Sequence, residues 1–242
     1  MSGLYTRGRV TVAAAVVLAA GAGGTAVAIG TPSPSPHIAS LATAGRTRAA
    51  LDVTSGTEFL DITVARLDGT LLRASTPADA PVRPVLSGSS PVVLSLTGDK
   101  PAPHRGPNTG YAVRVVLNSA VTWTVVLAAG TQRTDLNLRG GKVGGIAVTA
   151  GSDVLDVALP VPAGTVPFLF AGGASQFLLS LPGGVPAQVT MRGGASFLSL
   201  DGQSLTGVAG GTVLATPGWA TARSRFDIDA IAGVSQLTVS RW

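Results

Sequence analysis

Cysteine is absent from the 242 residues. That excludes disulfides, thiolate metal sites, haem-attachment motifs and cysteine nucleophiles. Aromatic residues make up only 5% of the chain and charged residues 12%, with Glu58 the single Glu. Clustered acids of the kind that glycan-cleaving enzymes use are therefore missing. The basic side is equally thin: 15 of the 17 Lys and Arg residues are Arg, scattered singly. Nucleic-acid binders gather such residues on one face and interleave aromatics, so no nucleic-acid partner is expected. Disorder is excluded in turn, because 45% of the chain is apolar and the net charge is only +5.

The most legible feature that is present lies at the start. Arg7 and Arg9 precede Val10–Ile29, twenty uncharged residues rich in Ala and Val, and Ala26 and Ala28 flank Val27 in the small-residue pattern read by signal peptidase. Residues 1–30 are read as a cleaved signal peptide or as an uncleaved signal anchor. The second reading is open because such a helix just spans a hydrocarbon core of about 30 Å. Gly21, Gly23 and Gly24 weaken the later half of that apolar helix. Both readings place the remainder outside the cytoplasmic membrane, either secreted or anchored by residues 10–29. Residues 31–50 open with Thr31-Pro32-Ser33-Pro34-Ser35-Pro36. They are read as an extended Pro/Ser-rich tether, with His37 solvated within it.

From residue 51 to residue 242 the hydrophobic period is two. Leu60, Ile62 and Val64 alternate with Asp61 and Thr63, and Val121, Trp123, Val125 and Leu127 share one face. Phe226 and Ile228 alternate with Asp227 and Asp229. These runs are short, rich in Val and Thr, and bounded by Gly, Pro or Ser, which predicts an all-β body. Small-residue turns followed by apolar strands recur, with marker glycines Gly130, Gly151, Gly173, Gly194 and Gly233. The first four are 21 or 22 residues apart, and the last interval is near two periods, with Gly210-Gly211 between. Such a repeat predicts a β-solenoid of about 21 residues per rung, with Leu155, Val157, Leu159, Leu179, Leu181, Leu198 and Leu200 inward. A β-sandwich is the alternative architecture.

Residues 130–242 resemble the bacterial toast-rack, or putative-adhesin, β-solenoid domains. The resemblance lies in Asp135-Leu136-Asn137-Leu138-Arg139-Gly140-Gly141-Lys142-Val143, in the strands ending Leu159-Pro160 and Leu181-Pro182, in Gly172-Gly173-Ala174-Ser175, and in Gly233-Val234-Ser235. It implies an exported or membrane-anchored envelope protein, and it carries no catalytic residues across. Residues 51–129 repeat less regularly and are expected to form a cap or a less regular β part.

Candidate chemistry is sparse. Asp99 and His104 lie in the longest polar loop, where a catalytic triad with a serine is outweighed by a turn-rich surface loop. Asp153 and Asp156 are expected on opposite strand faces, and Asp227 and Asp229 on one solvent face. Gly140-Gly141-Lys142 lacks the spacing of a phosphate loop and reads as a hairpin turn. No catalytic, cofactor-binding or metal-binding residue is assigned and no cofactor is expected. Trp219, after Pro217-Gly218, is the candidate ligand contact. The expected function is a non-enzymatic, adhesin-like envelope interaction domain. Its partner is expected to be a cell-wall polymer, a membrane protein or another copy of the chain, with the membrane itself reached through an uncleaved N-terminal segment. The alternatives are a structural spacer or stress-sensing domain and, further off, a wall-glycan-active enzyme.

Overall fold

A computed structural model of the chain describes residues 35–98 and 111–242. The apolar helix expected over residues 10–29 and the loop holding Asp99 and His104 lie outside the described residues. Within them, period-two patterning yields nineteen strands and no helix. The first seven are β1 (His37–Ala42), β2 (Arg48–Val53), β3 (Thr57–Ala65), β4 (Thr70–Thr76), β5 (Arg83–Ser87), β6 (Val92–Thr97) and β7 (Ala112–Asn118). The middle of the chain forms β8 (Thr122–Leu127), β9 (Thr131–Asn137), β10 (Lys142–Val148), β11 (Ser152–Ala158), β12 (Thr165–Phe170) and β13 (Ala174–Leu181). The last six are β14 (Ala187–Met191), β15 (Ala195–Leu200), β16 (Gln203–Val208), β17 (Thr212–Ala215), β18 (Arg225–Ala230) and β19 (Val234–Arg241).

The strands build two mixed sheets, ordered β1-β4-β7-β3-β9-β11-β13-β19-β15-β16 and β17-β14-β18-β12-β10-β8-β2-β6-β5. In each sheet seven neighbouring strands are mutually parallel, from β7 to β15 and from β14 to β6. Antiparallel strands close the ends: β1 and β4 with β5 at one, β16 and β17 at the other. Between β8 and β13 the chain crosses from one sheet to the other and back, pairing with itself at an offset of 20 to 22 residues. Thr131 faces Ser152, and Leu155 faces Phe177.

Inward side chains of both sheets form one core. All seven residues expected inward are buried there, as are Trp123, Phe168, Phe170 and Phe226. Phe177 joins the two sheets, its ring 5.2 Å from Phe168 and 5.0 Å from Phe170, within the range of favourable aromatic pairing.

Three local expectations change. Residues 37–42 and 48–50, expected in the tether, are strand: Leu41, between exposed Ser40 and Ala42, packs against the core, and Ala49 leads the alternation of Ala49, Leu51 and Val53 inside it. His37 accordingly starts β1 and is half-buried rather than free in a tether. The Gly140-Gly141-Lys142 turn joins β9 to β10, which belong to different sheets, so it is a corner between sheets and not a hairpin. Finally, the repeat glycines stack in an order that differs from chain order. Gly56 lies on Gly130, Gly130 on Gly151, Gly151 on Gly172, Gly173 on Gly233, and Gly233 on Gly193 and Gly194. The Gly233 turn fills the layer between the Gly173 and Gly194 turns, because β18 and β19 insert between strands laid down earlier.

Candidate functional site

Beside this glycine stack runs a groove of about 710 Å³. Its origin is local. Every strand of the series leaves the ladder for one residue just after the glycine turn: Thr57 and Phe59 are paired with Thr131 and Arg133, which are paired in turn with Ser152 and Val154. The skipped residues are Glu58, Gln132, Asp153 and Ser175, and beyond the groove Ser235 and Ser196. A residue that drops out of the ladder re-aims its side chain, as at a bulge. Because the skip repeats in register, these side chains form a row with one member per strand, about 4.8 Å apart. Glu58, Gln132, Asp153 and Ser175 all line the groove, with Tyr111 at its end.

A hydroxyl ladder supports the row from behind. Thr131 Oγ1 lies 2.8 Å from Thr134 Oγ1 and 2.9 Å from Ser152 Oγ, and the Ser152 hydroxyl donates to the Val154 carbonyl at 2.8 Å. Thr134 is one of three buried polar residues among those described, and this contact satisfies it. The floor is bare backbone. A Cβ on Gly56 would stand 3.0 Å from the Gly130 carbonyl, and one on Gly151 3.0 Å from that of Gly172. Strand-to-strand closeness at the turn, rather than backbone torsion, requires glycine there. The lining holds two carboxylates, an amide, hydroxyls and a phenol, and no cationic side chain. Burial, followed by the nearby Glu58 charge, pushes the Tyr111 phenol up, so it stays a neutral donor at physiological pH. The arrangement suits a neutral or cationic ligand, extended along the strand-stacking direction and rich in hydrogen-bonding groups.

The other candidate residues fall elsewhere. Asp156 lies on the outer sheet face, apart from Asp153, in register with Asp135 and Asp61. Arginines are set among these three: Arg133 lies 2.9 Å from Asp135 and 3.8 Å from Asp156, and Arg114 3.9 Å from Asp61. Burial pushes the Asp61 carboxyl up, Arg114 opposes this and Asp135 adds to it. Among the described residues, no three His, Asp or Glu side chains converge as metal ligands. Asp227 and Asp229 share the outer face of β18, and Asp229 accepts from Arg192 at 2.7 Å. Trp219 is half-buried: its indole N–H donates to the Phe226 carbonyl at 2.7 Å, and the Arg225 guanidinium lies 4.6 Å over its ring. That leaves Trp219 less ring surface for a ligand than its turn position suggested.

Sequence reasoning missed Glu58, Tyr111 and Gln132 as neighbours of Asp153. For Glu58 and Gln132 the signal was the residue second after each turn glycine, and for Glu58 it is visible only once Gly56 joins the marker glycines; no such signal marks Tyr111.

No known protein-family model matches the chain, and no curated protein matches it in sequence. Solved structures do resemble it. A putative cell adhesion protein from Clostridium sporogenes superposes with a TM-score of 0.59 at 12% identity, covering 86% of this chain and all of that one. Putative adhesins from Parabacteroides distasonis and Bacteroides fragilis match over 86% of this chain at 11% identity, with TM-scores of 0.23 and 0.24. The superposition on the Clostridium sporogenes protein covers most of the chain, so the likeness read from residues 130–242 extends beyond them at the level of the fold.

Proposed function

We propose that this chain is a non-enzymatic, adhesin-like domain outside the cytoplasmic membrane, built as a toast-rack β-solenoid and binding an extended hydroxyl-rich polymer along the glycine-lined groove. The observation that carries the reading is the in-register row of Glu58, Gln132, Asp153 and Ser175. A polymer lying along the stack meets one polar side chain per strand, so modest contacts add up over its length. Wall glycans have this chemistry, and the fold shared with the Clostridium sporogenes protein supports an adhesive role. Export through residues 1–30 would bring the domain to that polymer.

Retention of the purified full chain on isolated cell-wall polysaccharide tests the reading. Retention that falls on Glu58→Ala combined with Asp153→Ala, and survives Trp219→Ala, supports the groove. Loss on Trp219→Ala alone moves the contact to the β17–β18 turn. Release of soluble sugar fragments that depends on Asp99 or His104 favours a glycan-active enzyme, and no retention on wall or membrane fractions leaves a spacer.

A further inference from the structure

The end of the stack formed by β16 and β17 differs from its surroundings. Each is the last strand of its sheet, and among the described residues neither is paired on its outer side. Both lie one strand beyond the same layer, because β16 pairs with β15 and β17 with β14, and those two strands are consecutive in the chain. Proteins protect exposed edges with charge or proline, as β5 does with Arg83 and Pro84 at the opposite end. The sequences Gln203-Ser204-Leu205-Thr206-Gly207-Val208 and Thr212-Val213-Leu214-Ala215 contain neither. Five of the six β16 residues are exposed, and Leu205 and Val213 keep 40% and 54% of their surface in solvent.

The edge is also held in place. Asp201 and Gly202, at φ 50° and 83°, make the two-residue turn that sets β16 beside β15. Arg241 donates to both Asp201 carboxylate oxygens at 2.7 and 2.8 Å. Gly207, at φ 59°, bends the strand end, which leaves Gln203–Thr206 as the straight free run.

We infer that this end is a homotypic interface, at which a second copy of the chain continues both sheets at once. A two-fold axis normal to the sheets sets β16 antiparallel to its copy, and the same axis sets β17 antiparallel to its own copy in the other sheet. Sheets pack about 10 Å apart, so the partner must offer two edges at that separation. A single peptide strand offers one. A second copy offers both, and its edges match because they are identical. The interface is separate from the polymer groove and does not depend on it.

The absence of cysteine makes the test direct. Leu205→Cys, Val213→Cys and Ile38→Cys, the last 57% exposed on β1 at the far end, each carry one thiol. Treated at micromolar concentration with a short bifunctional thiol reagent, the full-length 205 and 213 variants are expected to give covalent dimer at least about tenfold more than the 38 variant, the discrimination expected of a preference of 1.4 kcal/mol. In uncross-linked chain, Leu205→Lys with Val213→Lys is expected to convert dimer to monomer in sedimentation while leaving the far-UV spectrum unchanged. Equal cross-linking at all three positions, cross-linking at none, or a parent chain that sediments as monomer overturns the inference.

Discussion

Replacing Gly172 by Ala isolates the contribution of the glycine stack. Gly172 lies outside the left-handed region, so alanine meets no torsional penalty there, yet its Cβ would fall inside the backbone of Ala150. Ala150 precedes β11 and Gly172 precedes β13, and these strands are parallel partners from Ser152 with Ala174 to Ala158 with Ser180. The clash is between two backbones fixed by a ladder, so no flexible side chain can yield. Overpacking costs about 1–3 kcal/mol when side chains can shift, and backbone against backbone belongs at or beyond the upper end, about 3 kcal/mol. Two companions separate this effect from glycine's other roles. Gly173→Ala has room, its nearest neighbour being the Gly233 carbonyl at 3.6 Å, but sits at φ 74°, so about 1–2 kcal/mol is expected from torsion alone. At Gly144 neither constraint holds, with Thr122 and Thr124 side chains no closer than 3.6 Å, so Ala there is expected to be neutral or to stabilise by up to about 1 kcal/mol. Urea unfolding of the three variants gives the ranking. If Gly172→Ala and Gly144→Ala agree to within about 0.5 kcal/mol, strand closeness does not dictate the repeat and the reasoning fails.

Leu181 is fully buried between the sheets, and Leu181→Ala is expected to cost about 2–5 kcal/mol in the same assay, whereas a cost near zero would contradict its place in the core. The Asp61 carboxyl is raised by burial, so its ionised form fits the folded state less well than the unfolded one. Its favourable contribution is present below the ordinary carboxylate range and is lost as pH rises through the folded value. Asp61→Asn is therefore expected to raise Tm at neutral pH, with the gain fading in acid; a gain independent of pH would rule out this cause.

The sheet content, the core list and the 21-residue pairing were readable because they depend on local alternation. Leu155, Val157 and Leu159 need only their neighbours in sequence to declare a buried face. Stacking order is different in kind, since the turn at Gly233 carries the same residues whether it lies beyond Gly194 or beneath it. Likewise, nothing near Glu58 shows that Gln132 becomes its neighbour, because β3 meets β9 across 65 residues of intervening chain. Trp219 was legible as a turn residue, but not as one lying under Arg225, a partner six positions on across an irregular turn.

The layer order has a consequence for how the end of the stack is held. After β13 the chain passes over one layer to place β14 and β15, adds β16 and β17, and returns with β18 and β19 to fill the vacant layer. At the other end the path is the same in reverse. From β8 and β9 back along the chain, β7 and β6 stand one layer away, β5 and β4 lie beyond them with β1 outside β4, and β3 and β2 fill the gap. Stacked repeats ordinarily fray from their terminal unit, which touches one neighbour only. Here the outermost parallel layer is joined through strands that come from elsewhere in the chain. The end of β19 fastens it further: Arg241 donates to the Pro182 and Val185 carbonyls at 3.3 and 2.7 Å, and the backbone N–H of Gly183 donates to the Trp242 carbonyl at 3.1 Å. A chain ending at Ser224 keeps every residue of β14 to β17 but removes their only parallel partners. Hydrogen exchange is expected to show β14 to β17 unprotected in that chain, while β8 to β11 keep their protection. If β14 to β17 stay protected, they stack directly on β12 and β13, and insertion of β18 and β19 is not what holds that end in place.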